Sequence, residues 1–547
     1  MNRSPLVRDL PFRDLPRQSA LFLKYVALAP EVMAWYRCRP AHDDLADTAD
    51  QIRRESFPRQ EMAEVLSMQN ESFGSSDAVR KAIADLAKPD SVAILTGQQV
   101  GLFTGPILTI YKALTALRLS AELRHMGFNA VPIFWLASDD HDLAEVTRLT
   151  IPGPHCELQE LDARESLFGD KVPPSFPVGA IKLPEAISGL ISDYFAALPG
   201  GWNDEHKTQA TEAYLPGSTF AEAFGRLMAG IFRNRGLILF DPRAPAAKEH
   251  AAAIIRKALT AAHALRAQLA ERSQALKKEG LEPQVAVLPR STLVFLEDEA
   301  QRRLLVSGER DFLLKETGRH FSLDELLDLT ETDPGCFSPN VLLRPVVQDH
   351  LFPTVAYVGG PAEVSYFAQI EPIYRYFGRL MPVVWPRSSL TVLEPEIRAS
   401  MTRHGVSLED CFQGKAAVIR RILQAQPAQF EVLLAKLSRD VKQDIEELKP
   451  SLASADASLG PASDTIQRKL LHRVASLETK FVNFEMRRNL DLDREVTQWL
   501  NSCYPHGNLQ ERELGIHCLL TRLGPSLLDT LYESMDTQTF AHRVVYL

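Results

Sequence analysis

The feature that most constrains this chain is one run, residues 91–120, which reads SVAILTGQQVGLFTGPILTIYKALTALRLS. Its apolar start, from Val92 to Leu95, predicts a buried strand, and apolar residues then recur at helical spacing from Ile107. Pro106 fits the first turn of a helix, where its missing N–H costs nothing. The order strand, glycine-rich turn, helix is half of a nucleotide-binding βαβ unit.

The turn between this strand and helix has two interpretations. Backbone N–H groups that open a helix favour an anion, and glycine lets a ligand approach the backbone. Under this interpretation Gln99 is a candidate catalytic residue, and the cofactor-binding candidates are Thr96, Gly97, Gln98, Gly101, Thr104 and Gly105. Under the other, the glycines serve turn geometry alone, since neither GxGxxG nor GK[ST] is present.

Composition limits the classes of protein to consider. The apolar fraction of 45% and charged fraction of 24% are ordinary for a globular protein, and a net charge of −9 disfavours nucleic-acid binding. Six scattered cysteines without a CxxC pair suit a reducing cytoplasm. The uncharged run 92–111 contains glycines, a proline and paired glutamines, so it predicts buried protein rather than a membrane span. We therefore expect a soluble, cytoplasmic protein.

Strand and helix patterns alternate along the first four hundred or so residues. Further core strands are predicted within residues 129–138, 236–243, 353–361 and 381–388. This alternation predicts an α/β fold whose core is a parallel sheet, with two insertions where the pattern changes. A C-terminal antiparallel α-helical coiled coil is expected after this core.

Domain boundaries follow from changes of pattern. Residues 1–90 are predicted to form a helical segment on the core, which itself comprises residues 91–142, 218–280 and 341–393. The connecting insertions are 143–217 and 281–340, the coiled-coil domain is 394–495, and residues 496–547 are expected to return to the core.

The coiled coil is predicted from two stretches with near-heptad apolar spacing. One runs from Phe430 to Leu448 and the other from Leu470 to Phe484, with a polar linker at residues 451–463. An ordinary helical layer against the core is the alternative, but charged residues at the other positions favour a projecting hairpin.

Two strand ends carry candidate chemistry, in addition to the first turn. Asp139, Asp140 and His141 follow the second strand, where carboxylates and an imidazole can hold Mg²⁺ or a ribose, or transfer protons. Acidic residues also suit a helix N-terminus without any ligand. Because ligands of parallel sheets bind beyond the carboxyl ends of the strands, these motifs are expected to share a site. Asp140 and His141 are the catalytic candidates, and Asp139 is a substrate-binding candidate.

The third strand-end motif is Gly359-Gly360-Pro-Ala-Glu363. Its double glycine permits close ligand approach, and Glu363 could hold a ribose hydroxyl or an amine; a tight turn with a dipole-stabilising Glu363 is the alternative. Gly359, Gly360 and Glu363 are cofactor-binding candidates. Further substrate-binding candidates are Tyr366 on the following helix and two arginines that could grip a carboxylate or phosphate, Arg344 and Arg387.

Four motifs, in order, resemble the cysteine-adding ligase family of bacillithiol biosynthesis: TGQQVGLFTGP, FWLASDDHD, GGPAEVSYFAQI and PVVWPRSS. The resemblance covers nearly the whole chain, including the helical hairpin and the NLQER tail. It implies a Rossmann-like core with two connecting segments, a coiled coil used in homodimerisation, and addition of cysteine to glucosaminyl-malate. The site residues named above follow from motif placement and not from the resemblance.

A ligation mechanism fits these residues. ATP would activate the cysteine carboxylate, with ADP as one form of bound product and Mg²⁺ as a further candidate cofactor; no residue is assigned as a metal ligand. The loop from Gly97 to Gly105 would cradle phosphates, and Asp140 and His141 would position the metal, the nucleotide or the attacking amine. Two alternatives stay open: a non-catalytic nucleotide-binding scaffold that docks a partner through its coiled coil, and a nucleotide-sugar transferase.

Overall fold

The computed structural model describes residues 6–153, 157–169, 175–308, 311–425, 429–456 and 458–547. The chain divides into two compact units. The first comprises Met1–Pro154, Gln159–Thr391 and Glu511–Val545, and the second comprises His155–Leu158, Val392–Gln510 and Tyr546–Leu547.

The strands of the described residues are β1 (Leu6–Leu10), β2 (Ser91–Gln98), β3 (Asn129–Leu136), β4 (Arg148–Pro152), β5 (Leu158–Asp162), β6 (Ile238–Phe240), β7 (Ser291–Asp298), β8 (Gln301–Ser307), β9 (Phe312–Leu314), β10 (His320–Phe321), β11 (Phe337–Pro339), β12 (Thr354–Gly359), β13 (Val383–Pro386), β14 (Ser389–Leu393) and β15 (His542–Tyr546).

The helices of the same residues are α1 (Ala20–Val26), α2 (Pro30–Met33), α3 (His42–Ile52), α4 (Arg59–Ser72), α5 (Asp77–Leu86), α6 (Leu108–His125), α7 (Leu143–Thr147), α8 (Ala163–Phe168), α9 (Ile187–Ala197), α10 (Asn203–Ala213), α11 (Phe220–Ile231), α12 (Pro245–Thr260), α13 (Ala262–Lys278), α14 (Leu323–Thr332), α15 (Arg344–Leu351), α16 (Pro361–Phe377), α17 (Pro395–Arg403), α18 (Leu408–Phe412), α19 (Lys415–Ala425), α20 (Gln429–Ala455), α21 (Leu459–Arg488), α22 (Leu490–Cys503), α23 (Gln510–Glu513), α24 (His517–Leu523) and α25 (Leu527–Ser534).

A five-stranded sheet forms the centre of the first unit, in the order β13-β12-β2-β3-β6. All four of its strand pairs are parallel, so the carboxyl ends of the strands lie at one edge. Val92, Ile94 and Leu95 of β2 are fully buried, as expected for a central strand covered on both faces. The predicted Rossmann-like core is confirmed.

Two predicted insertions contain the smaller sheets of this unit. The first holds the two-stranded sheet β4-β5, and the second holds an antiparallel sheet in the order β10-β9-β8-β7-β11. Alternating apolar residues on β7, such as Val294 and Leu296, are buried against the helices that precede this sheet.

The N-terminal segment is helical as expected, with one strand that the sequence did not reveal. β1 pairs at the edge of a three-stranded sheet of order β1-β15-β14, so the beginning and end of the chain meet there. Arg543 of β15 forms an ion pair with Asp9 of β1, at 3.0 Å between Nε and Oδ1. Short edge strands are hard to recognise because their residues are largely exposed and lack a clear alternation.

The long helices α20 and α21 of the second unit form an antiparallel hairpin. Lys449 pairs with Asp464 at 2.6 Å, whereas the earlier Lys442 accepts a bond through its carbonyl from the later Gln467 at 3.2 Å. The partners thus run in opposite directions, which agrees with the predicted coiled coil. Leu434 and Val474 are buried, while the side chain of Phe430 lies outside the described ones.

The linker predicted between these helices is much shorter than expected. Helix α20 continues through Pro450 to Ala455, and α21 already begins at Leu459. Gly460 and Pro461 lie in the first turn of α21, where a proline needs no backbone N–H. Ser451, Ser454 and Ser463 therefore lie on helices instead of in a loop. Among the described residues, no helix combines the length and apolarity that crossing a bilayer requires.

Candidate active site

A cavity of about 780 Å³ opens beyond the carboxyl ends of the parallel strands in the first unit. The turns after β2, β3, β12 and β13 contribute its floor, and the inserted antiparallel sheet contributes its far wall. Its polar lining includes Gln98, Gln99, Lys112, Asp139, Asp140, His141, Glu145, Arg302, Arg344, Tyr357, Glu363, Tyr366, Arg387 and Arg512. The position is the one at which parallel sheets bind ligands.

The turn after β12 places a buried ion pair at the floor of the cavity. Lys112, on the second turn of α6, forms a salt bridge with Glu363 on the first turn of α16. Lys112 also donates to the Gly97 carbonyl at 2.9 Å and to Oε1 of Gln98 at 2.8 Å. Burial alone would raise the pKa of Glu363, but the Lys112 ammonium outweighs it and lowers that pKa to about 2.

Gly360 lies between the Lys112–Glu363 pair and a second ion pair. Its backbone N–H donates to Oε2 of Glu363 at 3.1 Å, and a Cβ at this position would approach Nε of Arg387 to 3.4 Å. Arg387 is itself buried and donates to Glu511 at 2.6 Å. Glu511 also accepts from the Ser389 hydroxyl at 2.9 Å, so the charge of Arg387 is balanced inside the protein.

Arg512, the residue after Glu511, is exposed on the cavity wall. It forms no hydrogen bond or ion pair with any side chain that the structure describes. Loss of hydration and the neighbouring Arg387 lower the pKa of its guanidinium, as expected where positive charge accumulates.

Arg344 is the second guanidinium of the cavity that lacks a carboxylate within ion-pair distance among the described residues. It donates to the hydroxyls of Tyr366 at 2.8 Å and Tyr357 at 3.3 Å, and to Gln348 at 3.0 Å. Because neither Arg344 nor Arg512 has a carboxylate partner among the described residues, both guanidinium groups are suited to an anionic ligand.

The acidic motif after β3 also lines the cavity. Gln99 bridges two carboxylates there, donating to Glu145 at 3.2 Å and to Asp140 at 3.4 Å. Removal from water, together with the charges of Asp140 and Asp142, raises the pKa of Glu145. A carboxylate with a raised pKa is suited to accepting a proton.

Asp139 is held by cationic side chains of the protein itself. It accepts two bonds of 2.9 Å from Lys248 and one of 3.3 Å from Arg243. Burial would raise the pKa of Asp139, but Lys248, Arg302 and Arg243 together lower it. Both of its oxygens are therefore engaged by protein cations.

His141 lies between the acidic motif and the inserted sheet. Its Nδ1 lies 3.3 Å from a guanidinium nitrogen of Arg302 on β8, and its ring is half-exposed to the cavity. Burial, followed by the charge of Arg302, lowers the pKa of His141. Both effects favour the neutral imidazole.

The second half of the glycine-rich turn after β2 faces away from the cavity. Phe103 stacks on Tyr194 with ring centroids 4.4 Å apart, and the Phe103 N–H donates to the Tyr214 hydroxyl at 2.8 Å. A Cβ on Gly101 would approach the Cα of Gly105 to 3.1 Å, and Gly105 has a φ of +65°. These glycines permit a tight, aromatic-covered turn.

The structure brings most of the predicted site residues together on the cavity wall: Gly97, Gln98, Gln99, Asp139, Asp140, His141, Arg344, Gly360, Glu363, Tyr366 and Arg387. It places five of them elsewhere: Thr96, Gly101, Thr104, Gly105 and Gly359. The Thr96 hydroxyl donates to the Val358 carbonyl at 2.8 Å, and a Cβ on Gly359 would lie only 2.7 Å from the Cβ of Glu363.

Sequence reasoning missed four charged residues of the cavity: Lys112, Glu145, Arg302 and Arg512. A single lysine in the apolar face of a helix, one turn after a glycine-rich loop, was a usable signal for Lys112. Arg302 lies in an insertion and Arg512 in a distant polar tail, so only the tertiary fold brings them to the cavity.

No group of three or more His, Cys, Asp or Glu side chains suited to a metal ion occurs within the described ranges. The residues do fit an anionic cofactor group, because Arg344 and Arg512 lack carboxylate partners there and Gly360 keeps the cavity floor open beside Arg387.

Comparison with protein families identifies the chain. Residues 9–388 match the family described as "Bacillithiol biosynthesis BshC, N-terminal Rossmann-like domain", and residues 390–547 match "Bacillithiol biosynthesis BshC, C-terminal coiled-coil domain". The chain belongs to the BshC family. The resemblance drawn from the four sequence motifs is thereby confirmed.

Curated relatives in the BshC family are similar over nearly their whole length. The protein of Koribacter versatilis, named "Putative cysteine ligase BshC", is 33% identical over 98% of this chain and 99% of its own. Proteins of the same name from Salinibacter ruber (32%, covering 96% of each chain) and Solibacter usitatus (34%, covering 85% of this chain and 86% of its own) are also similar. This name agrees with the predicted class, a ligase that forms a carbon–nitrogen bond.

Proposed function

We propose that this protein joins the carboxyl group of L-cysteine to the amine of glucosaminyl-malate, with ATP-dependent activation of the carboxylate. The family and the names of its curated members support the reaction class. The observation that carries the assignment is that one cavity is lined both by two arginines without a carboxylate partner among the described residues, Arg344 and Arg512, and by the carboxylates that Gln99 bridges near His141. An amide-forming ligase needs both, because its substrates are anions and its nucleophile is an amine that must lose protons.

The two arginines would hold the anionic groups. Arg512 and Arg344 offer guanidinium groups without a carboxylate partner among the described residues, and each can bind a carboxylate or phosphate bidentately. When bound, ATP supplies the phosphoryl or adenylyl group that turns the cysteine carboxylate into a reactive acyl group. Mg²⁺, if used, would enter with the nucleotide, since no three-ligand protein site is found among the described residues.

The bridged carboxylates would handle the amine. Gln99 holds the carboxylates of Asp140 and Glu145 on one amide, and the raised pKa of Glu145 suits it to accept a proton. As the amine nitrogen bonds to the carbonyl carbon, its proton passes to this carboxylate. His141 lines the same cavity and would contact the reacting carbonyl.

We also propose that the protein works as a cytoplasmic homodimer joined through the coiled-coil helices. Leu437 on α20 and Leu477 on α21 are 44% and 49% exposed, which is unusual for apolar residues at heptad positions of a finished coiled coil. A second copy would cover them. Sedimentation equilibrium of the full chain measures this directly, and a monomer at micromolar concentration would contradict it.

The function is tested by mixing purified protein with ATP, cysteine and glucosaminyl-malate. Mass spectrometry should detect the cysteinyl conjugate, with stoichiometric AMP or ADP. Nucleotide binding without turnover, under several divalent metals, would favour the scaffold interpretation instead. Cysteine-independent release of a nucleoside diphosphate from a sugar nucleotide would indicate a transferase.

A further inference from the structure

Arg302 of the inserted sheet reaches across the cavity to His141. One guanidinium nitrogen lies 3.3 Å from Nδ1 of His141, and the other groups of Arg302 are fixed by neighbours on β11. Its Nε donates to the Ser338 hydroxyl at 2.8 Å, and a second terminal nitrogen donates to the Pro339 carbonyl at 2.9 Å. The guanidinium also lies 3.8 Å from the ring centre of Phe295.

Which of these two residues donates the hydrogen bond follows from their chemistry alone. A guanidinium has donors and no acceptor, so Nδ1 of His141 must be the acceptor. A neutral imidazole that accepts at Nδ1 carries its proton on Nε2. His141 lines the cavity and no partner of Nε2 occurs among the described residues, so this N–H is available to a ligand.

The charged groups around His141 have opposite effects on its protonation. Arg302 disfavours the imidazolium, whereas the carboxylates of Asp140, Asp142 and Glu316 favour it. Oδ1 of Asp140 is 3.9 Å from Nδ1, too far for a hydrogen bond, and already accepts the backbone N–H of His141 at 2.8 Å. Without Arg302, a small rotation would let Asp140 bind a protonated Nδ1 instead.

We propose that Arg302 is a positioning residue that holds His141 in its neutral, Nε2-protonated form, so that His141 acts as a hydrogen-bond donor to the reacting carbonyl. The catalytic role of this pair rests on the proposed ligation reaction, whereas the tautomer of His141 does not depend on it. The amine nitrogen bonds to the carbonyl carbon and the carbonyl electron pair moves to oxygen, where Nε2–H stabilises it. The pair then returns, the bond to the activating group breaks with its electrons, and the amine proton leaves to the Glu145–Asp140 carboxylates.

The tautomer can be measured in the full-length protein without turnover. Nitrogen-15 labelled histidine distinguishes a protonated from an unprotonated ring nitrogen by chemical shift, and the His141 signals are assigned by their loss in H141Q. We expect Nε2–H in the natural protein at pH 7.5. In R302Q we expect a mixture of tautomers or Nδ1–H, and a higher pKa of His141.

Matched variants separate positioning from folding. Arg266 on α13 bonds to the Ser307 hydroxyl of the same strand, β8, at 2.8 Å and away from the cavity, so R266Q should keep both the tautomer and the rate. R302K keeps a donor near Nδ1 and should recover part of what R302Q loses. Steady-state kinetics should show kcat lowered about 10- to 100-fold in R302Q with KM changed much less, the pattern expected when an interaction made in the transition state is lost.

Two results would overturn the proposal: an Nδ1–H tautomer in the natural protein, or an unchanged tautomer and pH profile in R302Q. Because the spectrum is recorded without substrates, it stands even if no cysteinyl conjugate is formed. A correct tautomer with no ligation would contradict the proposed reaction while leaving the role of Arg302 toward His141 intact.

Discussion

The two glycine-rich turns of the core sheet look alike in sequence and differ in use. Each follows a buried parallel strand and opens a helix, at Gly101–Gly105 after β2 and at Gly359–Glu363 after β12. The first is covered by Phe103, Tyr194 and other aromatic rings, whereas the second faces the cavity with Gly360 and Glu363. Glycine at a strand end therefore indicates a tight backbone path, and the residues packed above it decide whether a ligand can reach it.

The two turns also differ in the charge of the residues that surround them. The second turn lies among Lys112, Glu363 and Arg387, all of them buried or half-buried, while the aromatic cover of the first turn includes the neutral His517. We expect damage to the second turn to appear in ligand binding and damage to the first to appear in stability. The buried Lys112–Glu363 ion pair is the exception, because its loss should affect both ligand binding and stability.

The largest effect is expected from Lys112→Met. The change leaves Glu363 charged and partly buried without its partner, which should reduce the free energy of unfolding by about 3–5 kcal/mol. Guanidinium unfolding followed by circular dichroism measures the loss. The double variant K112M/E363Q, which removes both charges, should recover much of it, and equal stability of K112M and the natural protein would show that the pair is not buried in solution.

Acid should act on the first turn through His517. Burial and the nearby His206 lower the pKa of His517 to about 3, so it stays neutral in the folded state while the unfolded chain binds a proton below pH 6.5. Its contribution is complete above pH 6.5 and falls as the pH decreases toward 3, by about 2–3 kcal/mol at pH 4.5. Thermal unfolding from pH 7.5 to 4.5 should show a smaller loss for H517F, and identical pH dependence would contradict this origin.

Gly105→Ala is expected to cost about 1–3 kcal/mol of stability, because the φ of +65° at Gly105 strains any side chain. The folded fraction should bind nucleotide and substrates normally, since this turn lies off the cavity wall. Denaturant unfolding and calorimetric titration on the same sample test both halves. If the variant instead lost much of its ligand affinity and none of its stability, this turn would have to be part of the ligand site.

Gly360→Ala should show the reverse pattern. Its φ of −82° suits alanine, so stability should change by less than about 1 kcal/mol. The new Cβ would lie 3.2 Å from Oε2 of Glu363 and 3.4 Å from Nε of Arg387, disturbing the floor of the cavity. Ligand affinity should fall several-fold by titration, and unchanged affinity would remove Gly360 from the site.

Local patterns predicted the sheet and the ends of its strands. Apolar runs such as Val92–Leu95 identify buried strands, and parallel strands bring their carboxyl ends together, which is why Gln99, Asp140 and Glu363 meet. The tail was expected to return to the core, but nothing in its polar sequence singled out Glu511, which is 1% exposed and balances Arg387. No local pattern reveals such a partner, since pairing across more than one hundred residues depends on the completed fold.

The most direct test of the central claim is the rate of cysteinyl-conjugate formation by Gln99→Ala and His141→Ala. Both residues line the cavity without being buried in the core, so both variants should fold like the natural protein by circular dichroism and thermal unfolding. We predict that mass spectrometry detects the conjugate with the natural protein and little or none with either variant. Full activity of both folded variants would contradict the assignment of this cavity as the ligation site.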